Sequence, residues 1–149
     1  MSGSPSGVMQ ISLGAWYVMS SHARATCPEE CCGALLGWKC PGWKLGREAL
    51  PLVNAAPGGR EHGYRLEPAE ICEADRRARK RGLEVVGIYH SHPQGGASFS
   101  ETDRENAWPW LSFVVLSMAG GRIETAASWT LGEDRRLVRE ALLAPEAGS

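Results

Sequence analysis

Three side chains in the second half of the chain have the types and spacing of a metal-ligand set. His90 and His92 stand two apart in Tyr89-His90-Ser91-His92-Pro93, and ten residues separate His92 from Asp103. Side chains at i and i+2 of a strand point to the same face, so both imidazoles reach one point in space. Pro93 cannot continue a strand ladder, which places the pair at a strand end. Asp103 follows a Gly-bearing loop and falls in the first turn of an expected helix, where the helix dipole favours a carboxylate. Two neutral imidazoles and one carboxylate suit a catalytic zinc, leaving a fourth position for a water whose pKa falls to about 7. The same three donors also suit Fe(II) in a two-His-one-carboxylate oxygenase, or plain metal storage. Taken singly, each residue has a structural use: Ser100 as a helix N-cap, Asp103 as a first-turn acid, the histidines as hydrogen-bonded strand-end residues.

The elements that must position these groups follow from hydrophobic period and breakers. Leu83 to Tyr89 is a β-branched, apolar run expected to be a strand buried on both faces, and it feeds the two histidines. Before it, Val8–Leu13 reads as a strand and Ala15–Ala25 as a helix stopped at Pro28. Cys31–Trp38 and Trp43–Val53 read as a hairpin across Pro41-Gly42. Asn54–Gly63 is a loop with Pro57-Gly58-Gly59, Tyr64–Leu66 a brief strand, and Pro68 to about Arg81 a helix. Beyond the histidines come the loop Pro93–Ser98 and a short helix opened at Ser100-Glu101-Thr102-Asp103 and closed at Pro109. Ser112–Ser117 and Arg122–Trp129 are strands across Gly120-Gly121. Helices alternate with strands, so the class is α/β or α+β, three-layered around a mixed sheet flanked by helices.

Bulk properties narrow the functions. With 149 residues the chain is expected to be one domain, residues 8–143, with flexible ends 1–7 and 144–149. Hydrophobic residues at 43% and charged residues at 22% are those of a soluble globular protein, and the longest apolar runs are too short to span a bilayer. The formal net charge of -1 draws the chain to neither nucleic acid nor an anionic membrane. The basic group Arg76, Arg77, Arg79, Lys80 and Arg81 reads as a solvated helix face. Five cysteines without a secretory signal argue for reduced thiols and a cytoplasmic setting.

The set His-x-His-Pro followed by Ser-x-x-Asp resembles the signature of the JAMM (MPN+) metalloproteases. That family pairs it with a glutamate before a Cys-Gly strand, and Pro28-Glu29-Glu30-Cys31-Cys32-Gly33 looks like that element, with Glu30 rather than Glu29 in the matching place. Asn54, Tyr64-Arg65-Leu66-Glu67-Pro68 and Val86-Gly87-Ile88-Tyr89 resemble the short bacterial and archaeal members, over roughly Ile11 to Trp129. The resemblance implies a cytidine-deaminase-like fold and one catalytic zinc on His90, His92 and Asp103. It also implies Glu30 as general acid/base and Ser100 as donor to the oxyanion. A nucleobase deaminase is not implied, since Pro-Cys-x-x-Cys is missing.

Relatives of this size resemble enzymes that process ubiquitin-like sulfur-carrier proteins ending in Gly-Gly, some of which release a cysteine from that tail. A peptidase or isopeptidase acting at a carrier's Gly-Gly tail is therefore the expectation, the enzyme being a monomer or homodimer. The other classes are a non-catalytic MPN-type scaffold and the metal-dependent oxygenase. Oxygenases of the cupin kind expect an all-β barrel with a further histidine, whereas helices intervene here. A cysteine-protease reading would use Cys31 or Cys32, but both sit in apolar sequence beside two carboxylates, which raise a thiol pKa.

Overall fold

The computed structural model describes residues 7–96 and 107–145. Its elements run β1 (Val8–Ile11), α1 (Leu13–Thr26), β2 (Cys32–Cys40), β3 (Trp43–Leu52), α2 (Pro68–Arg79), β4 (Glu84–His92), β5 (Ser112–Ala119), β6 (Arg122–Leu131) and β7 (Leu137–Leu143). The strands form a mixed sheet in the order β1-β3-β2-β4-β5-β6-β7, closed by parallel pairing of β1 with β7. At its centre β4 runs antiparallel to β2 and parallel to β5. Among the described residues no helix is long and apolar enough to cross a membrane.

Each strand-pair near the centre is buried on both faces, because each face carries its own helix. Ala15, Trp16, Met19 and Ala23 of α1 pack with Met9, Leu35, Val86, Tyr89, Val114 and Leu116. Ile71, Ala74 and Ala78 of α2 pack with Cys32, Ala34, Leu36, Val85, Ile88 and Phe113 on the other face. Val85 and Ile88 join one core and Val86 and Tyr89 the other; these three-residue steps accompany the shift of the β2–β4 register between Leu35 and Leu36, where Val86 is the extra residue. Ser12 ends β1 and starts α1: its hydroxyl accepts from the Ala15 amide at 3.0 Å and donates to the Arg47 carbonyl at 2.6 Å.

Two sequence expectations are corrected. Tyr64–Leu66 is not a strand: the segment's one backbone bond to its neighbour is Ala55 N–H to the Arg65 carbonyl, and side chain Asn54 takes the Arg65 amide instead of a ladder partner. A seventh strand, β7, was not anticipated. Its sequence Leu-Val-Arg-Glu-Ala-Leu-Leu carries no apolar alternation, because the one side chain it buries is Glu140, which accepts from Ser128 Oγ at 2.7 Å. The expected helix opened by Ser100 and Asp103 lies outside the described residues.

Glycine is required where β2 passes β4. Gly33 pairs with Tyr89, and a Cβ built on Gly33 would lie 2.4 Å from the Tyr89 ring. That ring is fully buried and its hydroxyl bonds His22 Nδ1 at 2.8 Å, so it has nowhere to retreat. Gly33→Ala is expected to cost about 1–3 kcal/mol in urea unfolding, the range for overpacking a well-filled core. An unchanged midpoint would show that the ring is not confined there.

Candidate metal centre

Strand β4 delivers both histidines, and β2 sets what faces them. Cys32, the first residue of β2, pairs with His90, the seventh of the nine residues of antiparallel β4. Glu30 precedes β2 and belongs to no ladder, so other bonds hold it. Its amide donates to the Arg60 carbonyl at 2.7 Å, and its carbonyl accepts from Asn54 Nδ2 at 3.0 Å. Next along the chain, Cys31 is held by Ser91: the Cys31 amide donates to Ser91 Oγ at 2.9 Å and the Ser91 amide to the Cys31 carbonyl at 3.1 Å. Ser91, the residue between the two histidines, therefore ties their strand to the residue after Glu30.

The result is a convergence of Glu30, His90 and His92, whose donor atoms all lie within 4.8 Å of one another. Glu30 and His90 are buried and His92 is half-buried. Glu29, by contrast, is not part of the group. His92 Nδ1 lies 2.6 Å from the Gly96 carbonyl, which can only accept, so Nδ1 carries the proton and Nε2 is left with its lone pair. That Nε2 faces His90 Nε2 at 3.1 Å. Two ring nitrogens approach so closely only around a shared proton or a cation. Two imidazoles on a tetrahedral zinc, each at about 2.0–2.1 Å, stand about 3.3 Å apart, close to the separation found. The donor set and its spacing therefore fit such an ion. Asp103 and Ser100, the remaining residues expected at the site, lie outside the described residues.

The surroundings are aromatic on one side. Tyr64 stacks on His90 with ring centroids 4.4 Å apart and 23° between planes. Tyr64 also lines a cleft of about 220 Å³ with Leu66, Ile71, Ile88, Trp108 and Phe113. Trp108 is partly buried against the α2 core, while Trp110, 6.3 Å from it by ring centroids, is 63% exposed. Basic residues of α2 and just beyond it are ion-paired: Arg76 with Glu73, Arg79 with Asp75, and Arg81 with both oxygens of Glu48.

The environment of Cys31 and Cys32 does not favour a nucleophile. All five are free thiols. Cys31 and Cys32 are buried, and burial pushes the Cys31 thiol up to about 11, with the neighbouring Glu30 carboxylate adding to the shift. Burial raises Cys32 further, and Cys31 and the nearby carboxylates act in the same direction. Thiolate, the reactive form, is thereby suppressed at both positions.

The chain as a whole has counterparts among known proteins. The model of a family described as prokaryotic homologs of the JAB domain matches residues 14–132. The chain belongs to that family. This JAB domain is 37% identical over 122 residues to a protein of Haloferax volcanii named desampylase, covering 78% of the chain and 84% of that relative. It is 27% identical over 118 residues to a Thermus thermophilus protein named probable TtuB-protein conjugate cleaving protease, covering 77% of the chain and 74% of the relative. Among solved structures, a Desulfitobacterium hafniense protein superposes with a TM-score of 0.80 at 27% identity, covering 93% of each chain.

Within the JAB domain, sequence reasoning found Glu30, His90 and His92 but assigned no role to Asn54, Ser91, Tyr64 or His22. Asn54 and Tyr64 carried a signal only as matches to short relatives, and Ser91 only as the residue between two histidines. The burial pattern of the thiols gives a direct check. Under native conditions an alkylating reagent is expected to modify exposed Cys72 and spare Cys31 and Cys32 until the chain unfolds, as read by peptide mass mapping. Rapid native labelling of Cys31 or Cys32 would contradict the buried, protonated thiols described above.

Proposed function

We propose that this JAB domain is a zinc-dependent isopeptidase that hydrolyses a bond at the C-terminal Gly-Gly tail of a ubiquitin-like or sulfur-carrier protein. The observation that carries the reading is the buried Glu30 carboxylate lying within 4.8 Å of both imidazole nitrogens, a gap that one water spans with two hydrogen bonds of ordinary length, about 2.8 Å each. The names of the Haloferax and Thermus relatives, a desampylase and a conjugate cleaving protease, support hydrolysis of protein conjugates. The expected cytidine-deaminase-like, three-layer architecture belongs to the same proposal, supported by a mixed sheet with α1 and α2 on opposite faces.

His90, His92 and Asp103 would hold the ion. When bound, zinc supplies a Lewis acid that polarises a carbonyl and lowers the pKa of water toward neutrality. Its bond to the Gly96 carbonyl keeps His92 in the tautomer that turns the Nε2 lone pair toward a ligand. Glu30 takes a proton from the attacking water as its oxygen bonds the scissile carbonyl carbon. Glu30 then returns that proton to the leaving amine as the carbon–nitrogen bond breaks. Ser100 donates a hydrogen bond to the carbonyl oxygen as it gains negative charge. A Gly-Gly tail suits a narrow groove, because it has no side chains to exclude it.

The test uses a ubiquitin-like protein joined through its terminal Gly-Gly to the lysine of a fluorescent peptide. Zinc-loaded enzyme is expected to release the peptide, and chelation to stop it. Glu30→Gln should retain zinc and lower kcat by roughly 10²–10⁴-fold, the usual contribution of a general base. Asp103→Ala should lose the metal. Normal turnover by Glu30→Gln would remove Glu30 as the base, and full zinc occupancy in Asp103→Ala would remove that aspartate from the ligand shell.

A further inference from the structure

Glu30 lies outside any ladder, so its direction comes from the other bonds to its backbone, the Arg60 carbonyl on its amide and the Asn54 side chain on its carbonyl. Asn54 is buried at the end of the β3 hairpin strand and uses its whole hydrogen-bonding capacity on three separate stretches of chain. Nδ2 donates to the Glu30 carbonyl at 3.0 Å and to the Gly63 carbonyl at 2.9 Å. Oδ1 accepts the Ala56 amide at 3.0 Å and the Arg65 amide at 3.1 Å. The partners fix the orientation of the amide group, since carbonyls demand its nitrogen and amides its oxygen.

The two stretches so joined carry different halves of the site. One presents the Glu30 carboxylate to the imidazoles. The other, Gly63 to Arg65, brackets Tyr64, whose ring lies against His90. The loop from residue 55 to residue 62 has no strand of its own to hold it, and Asn54 closes its two ends together. No other residue type of this size offers two donors and two acceptors at these positions. Aspartate is the same shape but only accepts, and would set an oxygen against the carbonyls of Glu30 and Gly63.

We infer that Asn54 is a positioning residue that sets the Glu30 carboxylate and the Tyr64 ring relative to His90, and so acts on turnover through Glu30. The inference rests on the reading of Glu30 as the acid/base group. It predicts a defect in the chemical step, not in capture of the carrier. Losses at positions that orient site residues are commonly about 10- to 100-fold in activity.

The experiment compares full-length, zinc-loaded wild type, Asn54→Ala, Asn54→Asp, Glu30→Gln and the two double variants on the Gly-Gly–lysine fluorescent conjugate. Asn54→Asp keeps the acceptor for Ala56 and Arg65, and serves if Asn54→Ala does not fold. The expected result is a kcat lowered about 10- to 100-fold with KM within about twofold in the single Asn54 variants. In the Glu30→Gln background, the same substitutions are expected to change kcat by less than about twofold, because they act through a group already removed. Amide hydrogen exchange is the second readout: Asn54→Ala should expose the Ala56 and Arg65 amides, whereas Asn54→Asp should keep them protected while kcat still falls. Wild-type kcat in a folded Asn54 variant, or a full further loss on top of Glu30→Gln, overturns the inference and leaves the hydrolase reading standing. A wild type that does not cleave the conjugate overturns that reading, and the role of Asn54 with it.

Discussion

The register of β4 between its two neighbours governs everything at the site. β4 is buried on both faces, with Val86 and Tyr89 in the α1 core and Val85 and Ile88 in the α2 core. A slip of one residue would exchange those faces. His90 would then point into the α1 core in place of Tyr89, and the Tyr89 ring would lose the space that Gly33 leaves for it. Pairing of Cys32 with His90 on one side and of His90 with Val115 on the other prevents this. Hydrophobic burial, which stabilises the sheet, is thereby also what aims the two imidazoles.

Beyond the strand ends the ladder no longer serves, and side chains take over. Ser91 of β4 binds the Cys31 amide, and Asn54 from the segment after β3 binds the Glu30 carbonyl, so the acidic residue is held between two clamps. Buried polar groups of this kind are costly unless satisfied, and once satisfied they specify one arrangement. The same logic sets the chemistry of the histidines. A carbonyl on His92 Nδ1 leaves the other nitrogen to face His90, at a separation that a hydrogen bond from His90 Nε2 or a cation between the rings accounts for. The adjacent cysteines are drawn into the cores as small apolar side chains, which raises their pKa and suppresses the reactive thiolate.

Much of this was legible in the sequence. The i, i+2 spacing of His90 and His92 on a β-branched run announced a strand that points both rings one way, and it does. Resemblance selected Glu30 over Glu29, and the fold brings Glu30 to the imidazoles. Other features were hidden for physical reasons. β7 buries a glutamate and exposes Val138 and Leu143, so it lacks the usual apolar alternation. Tyr64–Leu66 has the composition of a strand, but a side-chain amide takes its backbone donor. The hub at Asn54 reaches Glu30, 24 positions away, a contact that no local pattern encodes.

The central claim is that His90 and His92 converge on one metal ion without thiolate help. X-ray absorption at the zinc edge, on metal-free protein reloaded with one equivalent of zinc, addresses it directly. The expected shell contains only nitrogen and oxygen, with the multiple-scattering pattern of two imidazoles at about 2.0–2.1 Å. A sulfur contribution at about 2.3 Å, or a shell without imidazole, would place the ion elsewhere and contradict the site described for Glu30, His90 and His92.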